Sequence, residues 1–383
     1  WQNDSILWDS LVAKQPGKAM LIQETGLQRE LNLDESARRT PESEAALFER
    51  KVAMSFVRGS GAIEWLWNTN SYMTEGNETP IGALRADGTE KPEATVMRNF
   101  ANFAADLGPH LRNPEPAQVA IIASQAAQYS ALAEFQIAAQ RKAARALAHY
   151  ARLTPYLIYE NQIENMEGLK LAILPSAQAL TEKAWQQLLQ YVEGGGNLLI
   201  TGPIDRDEHW QNVDRASALV PGAAVAPLTF HNALQSLKDT AQPAIPLSFG
   251  QEAQSWVEVQ QFGDRANYQE LKRGNGRIFW ASYPVELAEG ESAAGELYAA
   301  VAGELAMQPQ FETRPLLPGI MAYALSLDDS VLYIFVSDSA RDSAVSLRDK
   351  ATGVPLSFTL PAEHAAMALI SRKEKTVIAK YGF

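Results

Sequence analysis

The chain has 383 residues, 46% hydrophobic and 20% charged, a globular composition long enough for two or three domains. Its 45 acidic side chains outnumber 33 basic ones, and the net charge of −12 argues against nucleic acid as a partner, because phosphate binding needs a basic surface. Cysteine is absent, which removes disulfides, thiolate nucleophiles and Cys-ligated zinc; the five histidines show no metal-ligand spacing, and no cofactor is expected.

Residues 6–13 read as a short helix. Ala19-Met20-Leu21-Ile22 is an apolar run, predicted as a buried strand over 19–23 that hands Glu24 to whatever lies beyond its C-terminal end. In parallel α/β folds that end carries the chemistry. After a polar loop, a helix is predicted over about 41–58, with Thr40 as N-cap, Pro41 at its first position and Glu42 in its first turn; Gly59 closes it. A second strand follows, Ala62-Ile63-Glu64-Trp65-Leu66-Trp67, whose alternation puts Ile63, Trp65 and Trp67 on one side. A long loop over 68–92, holding Asn77-Glu78, leads to a helix over 93–107.

Asn113-Pro114-Glu115-Pro116 reads as a linker, and the pattern then restarts. Val119–Ile122 is a strand, 130–152 a long Ala-rich helix, Pro155–Tyr159 a strand or helix start, and Leu171–Pro175 a strand. Thr181 caps a helix running to Glu193, and Asn197–Gly202 is a further strand. Later strands are expected at 255–261 and 276–281, with a helix near 291–306. Strands separated by such helices indicate crossovers and a parallel sheet. Gly194-Gly195-Gly196 ends a helix before a strand, whereas a phosphate loop follows a strand and opens a helix, so it reads as a helix C-terminal turn. From about 313, Met321–Leu327, Val331–Val336, Ala344–Leu347, Ser357–Leu360, Ala366–Ile370 and Thr376–Lys380 are short segments between turn residues, the texture of a small antiparallel β-domain. No apolar run approaches the ~18–20 residues that span a bilayer, so no membrane partner is expected. The chain begins with Trp1, not Met, which reads as a fragment or processed product, and the lack of cysteine fits cytoplasm and periplasm alike.

Two strand ends near the N-terminus carry Gln23-Glu24 and Trp67-Asn68-Thr69-Asn70. A carboxylate, amides and a tryptophan together suit a sugar site. The carboxylate can attack the anomeric carbon or stabilise an oxocarbenium-like transition state. The indole packs on the apolar face of a pyranose, and amides bond its hydroxyls.

The stretches Ala19–Gly26, Thr40–Val57 and Gly61–Met73, with the run Asp87-Gly88-Thr89-Glu90-Lys91-Pro92, resemble the last two units of a clan A glycoside hydrolase barrel. That resemblance places Glu24 on the nucleophile position at the end of strand seven and Trp67 on the strand-eight tryptophan of the first sugar subsite; Gln23, Asn68 and Asn70 are the substrate-binding amides beside them. Residues 114–312 resemble a flavodoxin-like or class I amidotransferase-like α/β domain without its cysteine, and 313–383 a small β-sandwich. This layout is similar to family 42 β-galactosidases, in which the middle domain assembles trimers. The resemblance implies a retaining β-glycosidase acting on a carbohydrate substrate, a homo-oligomer formed through a catalytically inert middle domain. A (β/α)₈ barrel takes roughly 250 residues, and only residues 1–113 precede the linker, enough for two βα units. In this clan the acid/base is a Glu after an Asn at the end of strand four, and no such pair precedes Glu24. The expected partner is therefore an N-terminal barrel part on another chain or segment. The alternative is a non-catalytic carbohydrate-binding or assembly module derived from an eroded hydrolase.

Overall fold

The computed structural model describes residues 21–26, 32, 34, 36, 38–58, 61–65, 67–68, 82–130, 133–166, 168–220, 228–231, 244–248, 254–259, 268–288, 290–313, 316 and 319–383; over 22–26, 61–65, 228–231, 244–248 and 254–259 it gives the backbone course. The predicted helix at 6–13 and the Asn77-Glu78 pair lie outside these residues. The chain forms two compact units, one of Pro116–Gln308 and one joining the segment up to Glu115 with Pro309–Phe383.

The N-terminal segment opens on β1 (Leu21–Gly26), followed by α1 (Pro41–Ser55), β2 (Gly61–Trp65) and α2 (Pro92–Leu107). The Thr40 hydroxyl accepts the Ser43 amide at 3.2 Å, closing the first turn of α1 as its sequence foretells. Of the strand predicted over 19–23, residues 19 and 20 lie outside the described residues, and the strand runs on to Gly26, so Glu24 is inside it, not beyond its end. The cause is pairing: past Gln23 and Glu24, β1 pairs with β2 again in parallel at Thr25 and Gly26. Apolar patterning cannot reveal that. β2 in turn stops at Trp65, two residues short of the expected end.

In the second unit, β3 (Val119–Ala123), α3 (Ala133–Ala146), β4 (Tyr156–Tyr159), β5 (Leu171–Leu174), α4 (Glu182–Glu193) and β6 (Asn197–Thr201) alternate as predicted. Then come β7 (Leu228–His231), β8 (Ala244–Ser248), β9 (Gln254–Val259), β10 (Gln269–Arg273), β11 (Gly276–Ala281) and α5 (Ser292–Glu304). The main sheet has the order β10-β11-β6-β5-β3-β4, parallel except for β10. Its five parallel strands, counted along the chain, lie in the order 2-1-3-4-5, the flavodoxin-like arrangement. Ile121, Ile122, Ile173, Leu174, Leu199 and Ile200 are fully buried, as expected where helices cover both faces.

Three features depart from the sequence reading. The strand expected at 255–261 is β9, the centre of a separate antiparallel sheet of order β7-β9-β8. β10 is an edge strand with exposed Gln269, Glu270 and Lys272, so it carries no apolar run to announce it. The long helix 130–152 is regular only to Ala146; a π turn over Leu147–Ala151 follows, and Arg152 ends it at φ +57. That turn sets Tyr150 against Gly295 of α5. A Cβ at Gly295 would meet the ring at 2.2 Å, so only glycine allows the approach.

The C-terminal segment is β12 (Phe311–Thr313), β13 (Ile320–Ser326), β14 (Ser330–Ser337), β15 (Ser343–Asp349), β16 (Pro355–Leu360), β17 (Ala365–Ser371) and β18 (Thr376–Tyr381). These make two antiparallel sheets, β13-β14-β17-β18 and β12-β15-β16, around a core that includes Phe311, Tyr333, Phe335, Val345, Leu347, Leu360 and Ile370. β15 alternates buried and exposed residues, the mark of one wet face. β13, β14 and β17 are buried at every position. The reason is that α1 lies on β14 and β17, and α2 on β18, covering the second face of that sheet. Polar contacts fix the covering. The buried Glu49 of α1 accepts the Tyr381 hydroxyl at 2.6 Å and the Ala365 amide at 3.1 Å, and also bonds Nδ1 of His364. Its neighbour Arg50 pairs with Asp338 at 3.2 Å and donates to the Glu363 carbonyl.

Candidate functional site

β1 and β2 pair at Leu21↔Gly61 and Ile22↔Ala62, then at Thr25↔Glu64 and Gly26↔Trp65. Between Ile22 and Thr25, β1 advances three residues while β2 advances two, so Gln23 and Glu24 face the single residue Ile63. This is a one-residue bulge, a device that re-aims a side chain and recurs next to active sites. Both sequence candidates on this strand therefore sit in its one irregularity. Beyond the end of β2, Trp67 is 50% exposed and Asn68 is exposed. The register sets Gln23 and Glu24 level with Ile63, four residues before Trp67 along the neighbouring chain, whereas the sequence reading put both pairs at strand ends. Asn70 lies outside the described residues.

Part of the segment expected to be loop over 68–92 is a tight hairpin. Leu84 bridges Asn68 in parallel and Glu90 in antiparallel fashion, and the Leu84 amide donates to the Trp67 carbonyl at 2.9 Å. The hairpin closes through Arg85 N to Thr89 O at 2.8 Å and Lys91 N to Ala83 O at 2.9 Å. At its tip the Gly88 amide reaches the Arg85 carbonyl at 2.9 Å, with Gly88 at φ +80. The Asp87 carboxylate accepts the Thr89 hydroxyl at 2.6 Å and the Thr89 amide at 2.9 Å, and these bonds hold its pKa below the usual carboxylate range. The signal for this turn was the Asp87-Gly88 dipeptide.

In flavodoxin-like sheets ligands bind beyond the strand ends where the order reverses, here between β3 and β5. Several polar groups there bond the neighbouring main chain. The Ser124 hydroxyl donates to the Ala179 carbonyl at 2.7 Å and accepts the Ala127 amide at 3.0 Å. Glu160 takes the Ala126 amide at 2.8 Å and the Thr181 amide at 3.0 Å. Beside them the buried Glu286 accepts the hydroxyls of Ser176 and Thr201 at 2.6 Å and of Tyr298 at 2.5 Å. Among the described residues no group of three side chains could hold a metal ion, and no helix is long and apolar enough to cross a membrane.

No protein-family model matches the chain, and no curated protein matches it. Solved structures do. The cold-adapted β-galactosidase from Rahnella sp. R3 superposes with a TM-score of 0.67 at 13% identity, over 97% of this chain and 57% of that one. Gan42B, a GH42 β-galactosidase from G. stearothermophilus, gives 0.62 at 12% identity with the same coverage, 97% and 57%. The GH42 exo-carrageenase from Bacteroides ovatus gives 0.54 at 12% identity, over 93% of this chain and 42% of that one. The chain therefore spans a little over half the length of the two β-galactosidases. Its likeness to them is one of fold: a parallel βα segment, a flavodoxin-like α/β unit and an antiparallel β-sandwich, the fold of the C-terminal portion of GH42 β-galactosidases.

Proposed function

We propose that the chain is the C-terminal portion of a retaining β-glycosidase with β-galactoside-like substrates. Glu24 is the nucleophile, Trp67 the platform for the sugar ring, and Gln23, Asn68 and Asn70 the hydroxyl-binding amides. The observation that carries this reading is the bulge at Gln23-Glu24, on a strand parallel to the one that delivers the exposed Trp67. In such a mechanism Glu24 attacks the anomeric carbon while an acid protonates the leaving oxygen. A covalent glycosyl–enzyme forms, and water then hydrolyses it with the acid now serving as base. The two carboxyl groups stand about 5–5.5 Å apart in that geometry. The acid/base and six further βα units come from an N-terminal barrel part. The 116–308 unit supplies no catalytic group and serves assembly into a homo-oligomer.

The test is to co-express the chain with the preceding barrel part and compare Glu24 with Glu24→Gln on a nitrophenyl β-galactoside. The expected result is a loss of at least about a thousandfold in kcat with galactose binding retained. Undiminished turnover in the variant would remove Glu24 from the reaction. Sugar binding without turnover in the unmutated complex would favour the non-catalytic module.

A further inference from the structure

The hairpin at 83–91 forms the main-chain contact with the exposed tryptophan described above, and its own bonding is denser than a surface loop requires. Its rungs run from Lys91 N to Ala83 O through the Leu84–Glu90 bridge to Arg85 N with Thr89 O. The tip is locked twice by Asp87, and Arg85 donates to the Thr89 hydroxyl at 3.3 Å and to the Glu90 carbonyl. Outside the hairpin, Arg98 of α2 pairs with the Glu90 carboxylate, tying it to a helix. Ala83, at its base, is fully buried. The first strand of this hairpin holds the chain at Trp67 and Asn68, because the Leu84 amide donates to the Trp67 carbonyl and Leu84 bridges Asn68. Trp67 itself is half in solvent, and β2 has already ended two residues earlier. With half of its surface in solvent, its orientation depends on how its backbone is held, and among the described residues the Leu84 amide holds that backbone.

We propose that the Arg85–Glu90 hairpin is a splint for Trp67, with Asp87 and Thr89 as positioning residues that set the tryptophan at the angle a pyranose face needs. The inference rests on the reading of Trp67 as the sugar platform. It adds that residues outside the sugar-binding set determine how well Trp67 is held. A preorganised stacking surface contributes to binding because its ordering cost is met before the ligand arrives. Loosening the splint therefore weakens sugar binding without touching the chemistry.

Gly88 offers a clean perturbation. A Cβ there has nothing within 4 Å, so Gly88→Ala acts only through its positive φ. Two further variants, Asp87→Ala and Thr89→Val, remove the lock, and Thr89→Ser restores the hydroxyl. The first measurement is amide hydrogen exchange at Leu84 in this chain. We expect protection to fall about tenfold in Thr89→Val and Asp87→Ala, less in Gly88→Ala, and to recover in Thr89→Ser. Unchanged protection would overturn the splint whatever the chain's activity. The second is kinetics of the complex with the preceding barrel part. Thr89→Val should raise KM about five- to twentyfold with kcat within twofold, and the effect should vanish in a Trp67→Ala background. A KM effect of equal size without Trp67 would overturn the assignment, as would a fall in kcat alone. The exchange result does not depend on Glu24, so failure of the nucleophile assignment and failure of the splint are read separately.

Discussion

Glu24 was legible in the sequence as a carboxylate following an apolar run, but its setting was not. The bulge is a property of two strands in register, and register is fixed by a partner that a single strand's pattern does not contain. Trp67 was legible as an aromatic near a strand end, whereas the hairpin behind it was visible only as an Asp-Gly dipeptide inside a polar stretch. A different carboxylate gives a prediction at this scale. Glu93, in the first turn of α2, is buried, and its Oε2 has no hydrogen-bond partner among the described residues. Burial raises its pKa above the ordinary 4.5. The sign follows: the folded state binds the proton more tightly than the unfolded state does, so Glu93 costs stability as pH climbs from 4.5 through its folded value, and the full cost stands above it. Glu93→Gln should therefore raise stability at pH 8 by on the order of 1 kcal/mol and by less at pH 4. Thermal unfolding of the variant at the two pH values checks this; an equal shift at both would show that the charge is not the cause.

At the scale of elements, caps and breakers were read correctly because they act locally. The Thr40 and Thr181 hydroxyls each take the amide three residues on, and Gly194-Gly195 ends α4 with Gly195 at φ +115. The parallel strands of the second unit and the turn-separated strands of the sandwich were read from their apolar runs. β10 was missed because its polar edge strand carries no such run, and β7 and β8 because β7 is only four residues long and Pro246 interrupts β8. The packing of α1 against the sandwich was missed because it joins residues more than 300 positions apart, Glu49 with His364, Ala365 and Tyr381. Replacing Glu49 with Leu leaves the Ala365 amide and the Tyr381 hydroxyl unpaired in a buried place. The expected loss is about 2–4 kcal/mol, measured as a shift of the urea midpoint. His364 makes part of this bond pH-dependent. Its hydrogen bond to Glu49 raises its pKa above the ordinary 6.5, partial burial opposes the rise, the charges of Glu49 and Glu363 add to it, and Arg50 subtracts. A raised cation pKa stabilises fully below 6.5 and loses its contribution as pH rises through the folded value. With the side chain 45% exposed, solvent screening keeps the contribution below about 1 kcal/mol. His364→Ala should cost more at pH 6 than at pH 8.5. A cost independent of pH would leave only neutral packing to account for it.

At the scale of the whole molecule, β1 and β2 hydrogen-bond only to each other among the described strands, a two-stranded parallel pair whose outer edges carry no partner strand. Isolated pairs of this kind are marginal, and open edges attract further strands. The chain also spans 57% of the length of the β-galactosidases it superposes on. The proposal of a barrel completed by preceding βα units accounts for both, and neither depends on which residue does the chemistry. The most direct test of that chemistry is to trap the covalent intermediate. An activated β-galactoside fluorinated on the sugar ring, which stalls at the glycosyl–enzyme stage, is incubated with the complex of this chain and its N-terminal barrel part, and the labelled protein is digested with trypsin. Cleavage after Lys18 and Arg29 releases Ala19–Arg29, in which Glu24 is the sole carboxylate side chain. The account predicts the added sugar mass on that peptide. A label on any other peptide, or catalytic turnover that leaves this one unmodified, would contradict it.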